Sequence, residues 1–169
     1  MTLILSGSNG LSDVDGSAAT PAVRGTDTNT GIYFGTDIVS VSTGGVQRSE
    51  FDATGNFKFN SGYGSVATAY GCRAWVNFNG TGVVAIRASG NVSSITDNGT
   101  GTFVVNFTTA MPDANYSICG TAGRGSGFVA PRIIGVGNAN PTASAAQVST
   151  YDDSGTANDC EYSMVAIIR

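Results

Sequence analysis

The sequence contains no histidine, one lysine (Lys58), two glutamates, two glutamines and three leucines, Leu3, Leu5 and Leu11, none of them beyond the first dozen residues. Without Leu, Glu, Lys and Gln there is little to build helix faces from. Without His there is no His-based catalytic dyad or triad and no His-ligated metal. Charged residues make up 12 % of the chain, about half the usual ~25 %. The seven arginines are scattered and the net charge is −4, so the basic footprint that nucleic acid requires is missing. Met1-Thr-Leu-Ile-Leu5 stops at Ser6-Gly7-Ser8, too short and without the charged start of a signal peptide. No run approaches the ~20 apolar residues of a membrane span, so no membrane insertion is expected.

Abundant instead are Gly, Ser, Thr and Asn, 74 residues in all, and Val, Ile and Thr, 45 residues. Branched side chains favour pleated, half-buried surfaces, and Gly and Asn favour tight turns. The expectation is all-β: a β-rich, intertwined N-terminal segment over residues 1–68 and a C-terminal antiparallel β-sandwich or jelly-roll-like knob over 69–169, with the boundary placed by composition near Gly62–Ser65.

In the first segment, apolar runs at Leu3–Leu5, Gly31–Phe34, Ile38–Val41 and Phe57–Phe59 are separated by the turns Thr43–Val46 and Ala53–Asn56. Alternation puts Val39 and Val41 on one face, and the two Phe of Phe57-Lys58-Phe59 likewise. So few large side chains cannot cover their own apolar faces, which points to partner chains. The second segment is denser. Ala74, Val76 and Phe78 share a face opposite Trp75, and further strands are expected at 83–88, 91–96, 102–107, 115–120, 132–136, 147–151 and 162–168. Asn98-Gly99 is the clearest hairpin turn, since it adopts positive φ at low cost.

Chemistry-bearing motifs are sparse. Gly62-Tyr-Gly64-Ser-Val-Ala67 matches a dinucleotide fingerprint as a string, but a β-rich stretch follows where a helix is needed, and it reads as a turn. Asp13-Val-Asp15-Gly16 opens like a calcium loop without its distal Glu and also reads as a turn. Asp152, Asp153, Asp159 and Glu161 could together offer oxygens to calcium or form a solvated hairpin tip; no metal or other cofactor is assigned. Glycoside hydrolysis needs two facing acids, and no pair is singled out by spacing. Five Asn-x-Ser/Thr sequons, among them Asn91-Val-Ser93, follow from composition. Cys72, Cys119 and Cys160 lie far apart and are expected as small buried hydrophobes in a reducing compartment. Receptor contact is expected at Arg124, Phe128 and Arg132, and at Tyr151, Asp152 and Asp153, where aromatic and polar groups lie close together in sequence.

Two stretches carry a resemblance. Gly25-Thr-Asp-Thr-Asn-Thr-Gly31-Ile-Tyr-Phe34, with Val39, Thr43-Gly44-Gly45, Arg48 and Phe51-Asp-Ala-Thr-Gly-Asn-Phe57, resembles a module of bacteriophage tail fibres that often precedes an endosialidase-type intramolecular chaperone. Arg73-Ala-Trp-Val-Asn-Phe-Asn-Gly-Thr-Gly82, with Ile86-Arg87, Asn91–Asp97 and Thr108–Tyr116, resembles a terminal domain of tail fibre proteins. The resemblance implies a homotrimeric virion protein assembled in the host cytoplasm. It would join tail or baseplate proteins through its N-terminal segment and bind a host-surface glycan or protein without catalysis. With no Ser/Lys cleavage pair beyond Arg169, self-cleavage is not expected, and the length suggests a compact fibre. A capsid decoration (cement) protein, and a free carbohydrate-binding module or depolymerase, are the other expectations.

Overall fold

The computed structural model describes residues 14–125, 132–137 and 139–169. They form fourteen strands and no helix, in two compact units, Met1–Ala69 and Tyr70–Arg169. The Leu3–Leu5 run, Asp13 and Phe128 lie outside the described residues.

The first unit is a six-stranded antiparallel meander of β1 (Val23–Arg24), β2 (Gly31–Gly35), β3 (Ile38–Thr43), β4 (Val46–Phe51), β5 (Phe57–Phe59) and β6 (Ala67–Thr68). The two turns the sequence anticipates, Thr43–Val46 and Ala53–Asn56, fall at the β3–β4 and β4–β5 connections. Gly44 and Gly45 sit at positive φ between β3 and β4. The Gly62–Ala67 string forms bends leading into β6 rather than a phosphate-binding turn before a helix.

Register sorts the meander's side chains cleanly. Val23, Ile32 and Val41 are cross-strand neighbours, as are Phe34, Val39, Phe51 and Phe57. This apolar face is the open one: Phe51 is 56 % exposed, and Val39, Val41, Phe57 and Phe59 are also exposed. The opposite, polar face is the buried one, with Ser40 and Ser42 wholly inaccessible. There the Gln47 amide donates to Ser40 Oγ at 3.3 Å and to Glu50 Oε2 at 2.6 Å. Lys58 Nζ reaches Glu50 Oε1 at 3.4 Å and Asp52 Oδ2 at 2.8 Å. The usual arrangement of a one-sided sheet, apolar in and polar out, is inverted.

The second unit is a sandwich. One sheet runs β11 (Ser117–Gly123), β14 (Tyr162–Ile168), β7 (Cys72–Asn79), β8 (Ala85–Gly90). The other runs β12 (Ile133–Val136), β13 (Ala145–Tyr151), β10 (Thr102–Phe107), β9 (Val92–Asp97). All pairings are antiparallel. The inner faces give a single core from Ala74, Val76 and Phe78, Val165 and Ile167, and, opposite, Phe103, Val105, Phe107, Ala146 and Val148. Phe78 and Phe103 meet edge-on with centroids 5.2 Å apart. As the alternation predicts, Trp75 points away from this core and is 45 % exposed.

Polar side chains close the corners. Asn91, between β8 and β9, has φ 56°, a left-handed conformation uncommon outside glycine. Its amide donates to the carbonyls of Arg73 (3.1 Å) and Thr109 (3.0 Å), and its Oδ1 accepts from the Thr109 N–H at 2.7 Å. The side chain that the sequon offers for glycosylation is thus committed to the crossover between sheets. Tyr116, on the β10–β11 crossover, shares its hydroxyl proton between the carbonyls of Thr142 and Ala145, each at 2.9 Å, while its ring meets Phe107 edge-on. Removing all of the side-chain bonds at one corner is expected to cost about 2 kcal/mol. Urea unfolding of Asn91→Ala should therefore show a lower midpoint with an unchanged slope, and Asn91→Asp, which keeps the acceptor but turns a carboxylate oxygen towards the Arg73 and Thr109 carbonyls, should not restore the parent midpoint.

Candidate functional site

The residues expected to meet a receptor are gathered at one end of the sandwich. Arg124 is exposed just after β11. Arg132 bridges to Ala122 on that strand and precedes β12. Tyr151 ends β13, paired with Ile133. Asp152 and Asp153 begin the next turn, with Asp153 exposed and Asp152 close enough to feel the Arg132 charge. Phe128, in the same group by sequence, is outside the described residues.

Asp152 does not present a free carboxylate. Its Oδ1 accepts from the Ser154 N–H (3.0 Å), the Ser154 hydroxyl (2.7 Å) and the Thr156 N–H (2.9 Å), while Gly155 at φ 81° lets the chain close. The first unit carries the same device. In Asp52-Ala-Thr-Gly-Asn56, Asp52 Oδ1 accepts from the Thr54 N–H (3.0 Å) and hydroxyl (2.7 Å) and the Asn56 N–H (2.9 Å), with Gly55 at φ 82°. The shared pattern Asp-x-Ser/Thr-Gly is an Asx-type turn that the sequence shows twice. The Ser154 hydroxyl, followed by the Thr156 N–H, holds the Asp152 carboxyl below its ordinary pKa. At Asp52 the Lys58 ammonium, followed by the Thr54 hydroxyl, holds it far lower.

The other acids of the expected cluster face separate partners. Asp159 Oδ1 accepts from the Gly101 N–H at 2.6 Å, at a point where a Cβ on Gly101 would lie 2.5 Å from the Thr150 carbonyl. Glu161 pairs with Arg87 at 3.9 Å, and the Arg87 guanidinium lies 4.5 Å over the Tyr162 ring. Among the described residues no three His, Cys, Asp or Glu side chains converge as metal ligands. The cluster that the sequence offers to calcium is therefore dispersed by the fold.

Two of the three cysteines depart from expectation. Cys160 is buried, and burial raises its thiol pKa. Cys72 and Cys119 are exposed free thiols. Cys119 stands opposite Ala166 on the side of β14 facing away from the core, while its neighbour Ile118 packs against the core. That outer face also carries Trp75, Asn77 and Met164, which sequence reasoning did not select as a site.

An all-β protein of two units, one of them a sandwich, is what the fold defines. No family model matches the chain, and no curated protein matches it. Among solved structures it is similar to the phiAB6 tailspike, determined in complex with three-repeated oligosaccharides of Acinetobacter baumannii surface polysaccharide, with 13 % identity and a TM-score of 0.40. The alignment covers 90 % of this chain and 38 % of that one.

The lowered carboxyls set a pH dependence. An Asp whose folded pKa lies below its unfolded value stabilises the fold above the unfolded value, and loses that contribution as pH falls through the folded one. In thermal melts from neutral pH downward, Asp152→Asn should be less stable than the parent at pH 7. The gap should begin to narrow as pH falls to the ordinary carboxyl value of about 3.9 and should close only below the lowered folded pKa. A gap that persists at low pH would show that the carboxylate charge is not the source.

Proposed function

We propose that this chain is a bacteriophage tail-fibre protein, a homotrimeric adhesin whose first unit is covered by partner copies and whose sandwich meets the host surface. The observation that carries the reading is the open apolar face of the meander. Val23, Ile32, Val39, Val41, Val46, Phe51, Phe57 and Phe59 are all exposed on it, with the three phenylalanines in a ridge. Together they leave on the order of 600 Å² of apolar surface uncovered, at the upper end of the largest patch a monomer carries and close to the ~800 Å² per partner of a stable interface. The resemblance of Gly25–Phe57 and Arg73–Tyr116 to tail-fibre sequences supports the same assignment.

In this reading the N-terminal segment joins tail or baseplate proteins. The loops bearing Arg124, Arg132, Tyr151 and Asp153, together with Phe128, contact a surface glycan or protein, with threefold avidity multiplying weak single contacts. The function is adhesion rather than catalysis, in the virion tail. A capsid decoration protein would use the same apolar face to clamp a shell, and antibody labelling of virions separates the two by decorating tail ends or the whole capsid.

Light scattering should give three times the chain mass of 17.1 kDa at micromolar concentration. Phe57→Asp, which places a charge in the ridge without touching the sandwich core, should shift the protein to the monomer. A parent that is monomeric at micromolar concentration would sink the trimer.

A further inference from the structure

The outer face of the β11-β14-β7-β8 sheet is hollowed into a groove of about 510 Å³ around Trp75, Asn77, Cys119, Thr121, Met164 and Ala166. Trp75 is set into it by Gly90. A Cβ at Gly90 would lie 2.5 Å from Trp75 Nε1 and 2.9 Å from its Cδ1, so the pyrrole edge of the indole lies directly against the backbone of the neighbouring strand. The rest of the ring system stays open, and Met164 across the groove is 40 % exposed. Beside them the Asn77 side-chain oxygen is buried and has no hydrogen-bond partner.

Three features select the occupant. The volume falls in the range of small-ligand sites. No lining residue is charged, and at the Tyr162 end of the same face Arg87 and Glu161 neutralise each other. An open aromatic surface beside the half-buried Asn77 side chain and the exposed Thr121 side chain suits a ligand with an apolar ring face and hydroxyls at its rim.

We propose that this groove binds an uncharged saccharide segment, one sugar face packed on Trp75 and its hydroxyls bonded to Asn77 and Thr121. The proposal rests on the adhesin reading and deepens it by naming the ligand class and a site distinct from the loops at the Arg132 end. Gly90 is then a positioning residue, since it holds the indole without touching the sugar.

Trp75 is the chain's only tryptophan, so its emission reports the groove directly. The intact protein is titrated to millimolar concentration with neutral trisaccharides of glucose, galactose, mannose and N-acetylglucosamine, and with sialyllactose as the charged arm. At least one neutral sugar should give a saturable change, with sialyllactose weaker. Gly90→Ala should bind that sugar at least about tenfold more weakly with its thermal midpoint little changed, and Trp75→Ala should abolish the calorimetric signal. The proposal is overturned if no neutral sugar changes the emission, or if Gly90→Ala and Trp75→Ala bind as tightly as the parent. It is equally overturned if the emission follows protein concentration instead of sugar, which would assign the groove to a second copy. None of these failures touches the virion labelling that decides the adhesin reading.

Discussion

Two aromatic rings, Phe78 from β7 and Phe103 from β10, meet edge to face in the middle of the sandwich, and both are fully buried. In a core of a dozen side chains, most of them Val or Ala, they supply the bulk that spaces the two sheets. Gly80, at the end of β7, follows from that contact, because a Cβ there would lie 2.8 Å from the Phe103 ring. The turn after β7 therefore has to be bare for the rings to meet, and the strand can deliver Trp75 to the outer face because Phe78 fixes its register three residues on.

With so little apolar mass, side-chain to backbone hydrogen bonds take over where larger proteins use packing. Asn91 and Tyr116 hold the β8–β9 and β10–β11 crossovers, Asp52 and Asp152 hold the hairpin tips, and Asp113 Oδ1 accepts from the Asn115 N–H at 2.7 Å. Each uses a short polar group to satisfy backbone atoms that a tight turn leaves unpaired. The wealth of Asn, Ser, Thr and Gly is therefore structural material: these residues make the corners as Val and Phe make the layers.

The strands were readable because alternation is local. All eight strands of the sandwich sit where the pattern of Val, Ile and Phe places them; 102–107 and 162–168 coincide at both ends, and elsewhere an end moves by at most three residues. What stayed hidden depends on non-local pairing. The directions of Cys72 and Cys119, the dispersal of Asp152, Asp159 and Glu161, and the groove around Trp75 all require knowing that β14 lies between β7 and β11. In the first unit the alternation of Val39 and Val41 was plain. That the polar side of β3 would be the shielded one was not, because Gln47, Glu50 and Lys58 reach over Ser40 only once three strands are aligned.

Lys58, the sole lysine, is held between Asp52 at 2.8 Å and Glu50 at 3.4 Å. The Asp52 hydrogen bond, against some desolvation, raises its pKa, so its ammonium gives up a proton reluctantly. An amine acts as a nucleophile only when unprotonated. Fixation or surface coupling that relies on lysine therefore finds a single, muted side-chain amine on the polar side of the meander. Reagents directed at the exposed thiols of Cys72 and Cys119 have instead two open addresses, both on the sandwich.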